Sequence, residues 1–369
     1  MSTSLNTVPA VSFAQQPRAL VKARGTVITG LLDFSTTETD FFHPSTFRCS
    51  FSLAGLPAAN DAKWWAHQPP DIEIELFAGF PKDPESFTSA DLDSIFVGRA
   101  DEAVIDWVGG TLELNGRDLS AKFADLKSSK KYPNLTASQI ATQLAGEAGL
   151  TPVVKATTTK TGKYYEIDKV NLQDDRTQWD LLTWLAREEQ FVVFVRGREL
   201  RFQPKPDTGS TPWLLQYTPP ANGGPPILNA TALKTTRELT IAKDIKVTVR
   251  SWNAKHKKAF VVTATRSKKG NAGTVQNYDY TIAGLTNEQA QARANQILAE
   301  LSQHECKLSF EGPADNLLHV DNVIKLTGTG ADADQVYFPA SIERTMSPSE
   351  GYRWTVEAKN HSTASEPSL

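Results

Sequence analysis

Four short stretches carry residue types that do chemistry elsewhere. His304, Glu305 and Cys306 stand side by side, an imidazole, a carboxylate and a thiol of the kind that hold zinc or form a nucleophile. A zinc site draws several such ligands together at set spacing, and the chain has only two cysteines, Cys49 and Cys306. Polar residues at a helix end, running into a strand, are the simpler reading. GTGADAD, Gly328–Asp334, has the glycines of a phosphate loop and the aspartates of a calcium loop. A phosphate loop opens a helix, and a calcium loop ends on a bidentate Glu. This segment lies between the strand patterns NVIKL and VYFPA and reads as a hairpin tip. The neighbouring carboxylates Glu188-Glu189 and Asp101-Glu102 are the raw material of a glycosidase, but that reaction needs two carboxyls facing across a cleft. Side by side they read as solvated charges. No H-E-x-x-H, C-x-x-C, G-x-S-x-G or Walker loop occurs, and His43, His67, His256, His304, His319 and His361 are dispersed. The residues therefore define no catalytic, cofactor or metal site, and the expectation is a protein that is not an enzyme.

The elements around these residues belong to a chain of 369 residues, too long for one ordinary core. With 40% hydrophobic and 22% charged residues it has a globular composition, and its net charge of −3 does not favour nucleic acid or an anionic membrane as main partner. Two cysteines suit folding in a reducing cytoplasm, with a Cys49–Cys306 bridge left open. No apolar run reaches the ~18–20 residues that span a bilayer. The opening, MSTSLNTVPAVSFAQQPRAL, lacks the basic and apolar regions of a secretory signal and reads as a polar arm; HSTASEPSL at the end reads as a frayed tail.

From about Leu20 to Gly116 the hydrophobic period is two. FRCSFSL puts Phe47, Cys49, Phe51 and Leu53 on one face, and DIEIELFAGF does the same with Ile72, Ile74 and Leu76. The pattern then turns helical. LTASQIATQLAGEAGL has a capping box, Thr136 with Gln139, a hydrophobic staple, Leu135 with Ile140, and Gly149 as its stop. TQWDLLTWLAREEQFVVFVRGRELRFQP, Thr177–Pro204, changes period midway: a helix capped by Thr177 with Leu181, Leu182 and Leu185 inward, then a hairpin turning at Arg196-Gly197. YTPPANGGPP is a stiff connector. Strand patterns return in ELTIAKDIKVTVRSW, KAFVVTATR, NVIKLTG, VYFPASIERTM and YRWTVEAKN. One helix interrupts them, boxed by Thr286 and Gln289, with Ala290, Ala294, Ile297, Leu298 and Leu301 along its apolar stripe. The fold class expected is α+β, mostly β, with two β domains and an intervening small α/β module. The expected divisions are an arm at 1–18, a first β domain at 19–118, the α/β module at 119–205, a second β domain with connector, insertion and one helix at 206–360, and a tail at 361–369. The two β parts share an outline, but no residue-level repeat is visible.

Two features suit an interface. Asp71–Asp106 holds ten carboxylates against two basic residues, and Lys234–Lys269 holds eleven basic residues against two carboxylates. Uneven solvated strand faces are one reading, and opposite-charge docking between copies or with neighbours is the other. AKWWAHQPPD places Trp64 and Trp65 in a loop, where adjacent aromatics either cap a barrel end or sit at an interface centre. The interface candidates are Trp64 and Trp65, with Lys255, Lys257 and Lys258 in the basic segment.

Several stretches, taken in order, resemble the phage late control protein D family, the baseplate hub of contractile tails. They are NGRDLSAKFADLKSSKKYPNLTASQIATQLAGEAGL, WDLLTWLAREEQFVVFVRGRELRFQP, IKVTVRSWNAKHKKAF, LTNEQAQARANQILAEL, VIKLTGTG and SIERTMSPSEGYRWTVEA. The likeness covers roughly 95–360, and the first ninety or so residues agree in pattern only. The resemblance implies that the β domains are two tube-type β-barrels, so that a homotrimer forms a pseudo-sixfold ring joining the sixfold tail tube to the trimeric central spike. It also implies the hub portion of type VI secretion spike proteins as a relative. The spike is expected to be a separate polypeptide, because the chain stops at Leu369. The partners implied are the tail tube protein, the central spike protein, other baseplate proteins and a tape-measure protein, with DNA or ejected material only as lumen cargo and no stable membrane insertion. The implied location is the virion tail baseplate, assembled in the host bacterial cytoplasm. A tail-associated cell-wall hydrolase, a nucleic-acid-binding module using Lys234–Lys269, and the hub of another injection device remain as alternatives.

Overall fold

The computed structural model describes residues 4–7, 16–67, 71–127, 132, 134–158, 160, 177–237, 244–253, 258–266, 275–302, 306–330 and 332–360. The chain is α+β and mostly β. Its first seven strands are β1 Arg18–Ala23, β2 Thr26–Ile28, β3 Leu31–Thr39, β4 Thr46–Ser52, β5 Ile72–Gly79, β6 Asp93–Asp106 and β7 Thr111–Asp118. They pair in the order β2-β1-β5-β6-β7-β4-β3. Alternation decides the inner face: Phe47, Cys49 and Phe51 from β4, Ile72, Ile74 and Leu76 from β5, and Leu112 and Leu114 from β7 are buried together.

A second set follows later: β11 Pro212–Thr218, β12 Ile227–Leu228, β13 Ala232–Arg237, β17 Cys306–Pro313, β18 Val323–Thr327, β19 Val336–Ser347 and β20 Gly351–Asn360. Its pairings, 11–12, 13–17, 17–20, 18–19, 19–20 and 11–18, repeat those of the first set strand for strand. One ladder differs in direction: β1 and β5 are antiparallel, β11 and β18 parallel. The repeat extends to single residues. β6 bulges at Asp101 and β19 bulges at Ala340, each beside the same step of its partner strand. Asp118 accepts the Ser45 N–H at 2.8 Å, and Asn360, at the same place in β20, accepts the Cys306 N–H at 2.8 Å. These anchors align Leu114 with Val356, Gly116 with Ala358 and Arg117 with Lys359. Identity is so low along the match that the two halves do not read alike as strings.

β3 and β19 pair antiparallel, Phe34 opposite Met346 through Thr39 opposite Ser341, and so merge both sets into one fourteen-stranded sheet. Among the described residues no ladder joins the two ends of either set. One hydrophobic core serves both, and its second half is centred on Trp213, stacked on Phe310 at 5.5 Å with Trp354 edge-on to both.

Two smaller units are inserted. In the first, helices α2 Ala121–Ala124, α3 Ala137–Glu147 and α4 Gln178–Glu188 pack on a sheet of β8 Thr151–Val154, β9 Phe191–Arg196 and β10 Glu199–Pro204, ordered β8-β10-β9. The expected caps are present: Thr136 with Gln139, and Thr177 with Asp180. Gly149 follows α3 with φ +70°. Leu182 and Leu185 are fully buried, Leu181 partly so, and Trp179 and Ala186 join them. The hairpin turns one residue later than expected, at Gly197-Arg198, since Arg196 pairs with Glu199.

The second unit lies within 206–360, where the sequence reading expects a β domain with an insertion and one helix. β14 Ile245–Asn253 and β15 Lys258–Arg266 do not join the second large set; with β16 Gln276–Thr281 they make a separate sheet, ordered β15-β14-β16. Helix α5, Asn287–Ser302, covers it, and Ile245, Val247, Val249, Ala290, Ala294, Ile297 and Leu298 form its own core. Alternation shows which face of a strand is buried, not which sheet it pairs with.

Candidate assembly interface

A dense polar cluster lies where the two strand sets meet. Glu38, near the end of β3, accepts from the Arg344 guanidinium of β19 at 3.2 Å and from the Val320 N–H at 3.2 Å, and its other near neighbour is His319 Nδ1 at 3.2 Å. Arg196, at the end of β9, approaches it to 4.0 Å and bonds Asp321, which Arg201 of β10 also faces at 3.6 Å. Arg344 is 3% exposed along its side chain and donates a second bond to the Leu318 carbonyl. Burial alone would raise the Glu38 pKa, but His319, Arg344 and Arg196 together hold it well below the usual carboxylate range. A carboxylate kept ionised, with both oxygens bonded, serves poorly as an acid, a base or a nucleophile. It locks together one strand of each set, the loop before β18, and the small α/β unit.

That unit is fastened at the same place. Trp179 Nε1 of α4 donates to the Phe42 carbonyl at 2.9 Å, the Phe42 N–H donates to the Val193 carbonyl at 3.2 Å, and Phe41 packs on Phe194 at 5.3 Å. The helix and hairpin of Thr177–Pro204 therefore buttress the joint between the strand sets. Asp118 lies nearby, receiving N–H bonds from Ser45 and Ser120 and the Ser120 hydroxyl, and burial pushes its pKa up to about 6.

The sequence candidates fall in different places. Trp64 and Trp65 are in a short helix, α1 Ala62–His67, rather than a loop; Asp61 caps its Trp64 N–H, a helical signal outweighed by the following QPPD. The two rings pack edge-on at 4.8 Å, Trp65 is 4% exposed and Trp64 is partly buried against the main core. Lys255 and Lys257 lie outside the described residues, and Lys258 opens β15. His304 and Glu305 also lie outside the described residues; Cys306 begins β17, and no disulfide joins Cys49, which is buried, to Cys306, which is half-buried. In GTGADAD, the Asp334 carboxylate gathers the N–H groups of Gly328, Thr329 and Gly330 and the Thr329 hydroxyl, which organises the tip between β18 and β19. Part of the acidic segment is neutralised within the chain. Arg99 bonds Asp71, Asp101 and Asp125, Arg117 bonds Asp101 and Asp125, and Arg198 of the hairpin bonds Glu73. Sequence reasoning passed over Glu38, Arg344 and Asp118. The weak internal match of STTE (35–38) to KTTR (234–237) and of NGRD (115–118) to EAKN (357–360) touches Glu38 and Asp118, and neither match contains Arg344.

No helix among the described residues is long and apolar enough to cross a membrane, and no group of His, Cys, Asp and Glu among them is arranged to hold a metal ion. Residues 120–349 match the family model for the phage tail baseplate hub (GPD). No curated protein matches the chain. Among solved structures, a tail protein from Neisseria meningitidis MC58 is similar with a TM-score of 0.69 at 13% identity, over 94% of this chain and 97% of that one. The 43 kDa tail protein of prophage MuSo2 from Shewanella oneidensis gives 0.64 at 13%, over 93% and 98%. The E. coli c3393 protein, a component of the type VI secretion system similar to the T4 bacteriophage tail proteins gp27 and gp5, gives 0.50 at 14%, over 95% and 79%. At these identities the structures share the fold.

Proposed function

This chain belongs to the phage tail baseplate hub family, and on that premise we propose that it is a structural symmetry adaptor rather than an enzyme. Three copies form a ring of six similar β units, which seats the sixfold tail tube on one side and a trimeric central spike on the other. The units are the two tube-type domains, 19–118 and 206–360, spaced by the α/β module 119–205. One observation carries this reading: the chain contains two strand sets with the same pairings, joined side by side through β3 and β19. A protein that must present six equivalent contacts from three molecules needs this duplication. The joint supports it further, because Glu38 and Arg344 tie the two sets together.

The test is the mass of the purified protein at micromolar concentration, in low and high salt, followed by electron microscopy. Three chains per particle and a pseudo-sixfold annulus as wide as a tail tube are expected. A monomer in both salts would overturn the proposal. Clearing of purified peptidoglycan that disappears on changing one carboxylate would replace it with a hydrolase.

A further inference from the structure

Within the chain, one strand ladder joins the second set to the first: β19, beyond its bulge, pairs with the free side of β3. The strands that correspond to these two are β6, beyond its bulge at Asp101, and β13. Among the described residues both lack the second partner. Residues Glu102–Asp106 of β6 pair with β7 alone, since β5 reaches only to Ala100, and β13 pairs with β17 alone. Edge strands left open in this way are normally shortened, covered or paired. Here both are exposed where the contact would fall, apolar on β6 and polar on β13: Val104 is 46% exposed and Trp107, in the turn just after β6, is 64% exposed, while Lys234, Thr235 and Thr236 are exposed.

We propose that β6 of one copy pairs antiparallel with β13 of the next, repeating between chains the joint that β19 and β3 make within one. This rests on the ring proposed above and assigns the surface that closes it. The register follows from the duplication. Glu343 opposite Thr37 becomes Val104 opposite Thr236, and Arg344 opposite Thr36 becomes Ile105 opposite Thr235. Thr345 opposite Ser35 becomes Asp106 opposite Lys234, and Met346 opposite Phe34 becomes Trp107 opposite Leu233. The chemistry at these positions is complementary. An aspartate meets an exposed lysine, and an exposed indole meets a half-buried leucine. Each copy offers one β6 and one β13 edge, so the contact is head-to-tail and must close into a ring or run on as a filament. The Ile105 position lacks the buried guanidinium that Arg344 supplies within the chain. The joint between copies therefore has no equivalent of the Glu38–Arg344 pair and relies on strand pairing, Trp107 and Lys234.

The full chain carrying Val104→Cys with Thr236→Cys tests the register directly, because residues directly opposite in an antiparallel pair lie at about the Cα separation a disulfide spans. Mild oxidation should yield covalent dimers and closed trimers from the double variant, while each single variant stays free of the trimer band. Trp107→Ala and Lys234→Glu, both at exposed positions, should each raise the concentration at which the trimer dissociates by at least about tenfold. A wild-type trimer with no cross-link, and with dissociation unmoved in both variants, refutes this surface while leaving the ring to another contact. A wild-type monomer refutes the ring itself, and the surface with it.

Discussion

Replacing Arg344 by Met tests whether the joint between the strand sets is held electrostatically. The Arg344 side chain is 3% exposed and bonds both Glu38 and the Leu318 carbonyl, so the substitution removes two charge-assisted bonds and leaves a carboxylate, itself 19% exposed, with fewer partners. Breaking a buried pair from one side costs ~3–5 kcal/mol. His319 and Arg196 still face Glu38, which places the loss at the lower end, about 3 kcal/mol. A chain of 369 residues melting as one unit has an unfolding entropy of about 0.8 kcal/mol per degree, so the midpoint should fall by about 4 °C. Glu38→Gln should cost a similar amount, and the double variant less than the sum by at least about 1 kcal/mol. The pH dependence has a definite sign. The folded Glu38 pKa lies below its ordinary value of 4.5, so its contribution is present above that pH and is lost as pH falls through the folded value. The gap between wild type and Arg344→Met should therefore be wide near pH 7 and narrow in acid. Calorimetry across pH 3–8 measures it. A midpoint within a degree of wild type for both single variants would refute the argument.

Asp118 titrates with the opposite sign: its folded pKa of about 6 exceeds the ordinary 3.8, so up to about 3 kcal/mol present in acid is lost as pH rises through 6. Asp118→Asn, which copies the Asn360 of the second set, should flatten that part of the urea-midpoint profile; an unchanged slope would count against this assignment. Gly116→Ala would place a methyl 2.0 Å from the Arg99 carbonyl oxygen and 2.6 Å from the Phe47 ring, at a cost of about 2–3 kcal/mol. The corresponding Ala358→Gly should cost only about 1 kcal/mol, and equal losses would show that the two sets pack alike there. Thr177→Ala removes the cap of α4 and should cost about 1 kcal/mol, seen as faster amide exchange in its first turn while β9 and β10 remain protected.

Local structure was legible wherever short-range chemistry decides it. Thr136 with Gln139 and Thr286 with Gln289 cap their helices as read, because a capping box needs only residues three apart. Phe47, Cys49, Phe51, Ile72, Ile74 and Leu76 face the core because side-chain direction alternates along any strand. The helix of Trp64 and Trp65 was missed, since Asp61 is a modest start signal and the prolines that follow suggest a loop. For Ile245–Arg266 the alternation marks strands but is the same whichever sheet receives them, so only the structure shows that they form a separate sheet.

The sequence by itself determined the element types, most of their caps and inner faces, and a family likeness carried by several ordered stretches. Only the tertiary structure decided that β19 pairs with β3, that Glu38 meets an arginine 306 positions away, and that the two strand sets repeat each other down to the bulge. The physical reason is range. A cap or an alternating face is set by neighbours within a turn or a pleat, whereas strand pairing rests on backbone groups that every residue carries, so its partner is chosen by the packing of the whole chain.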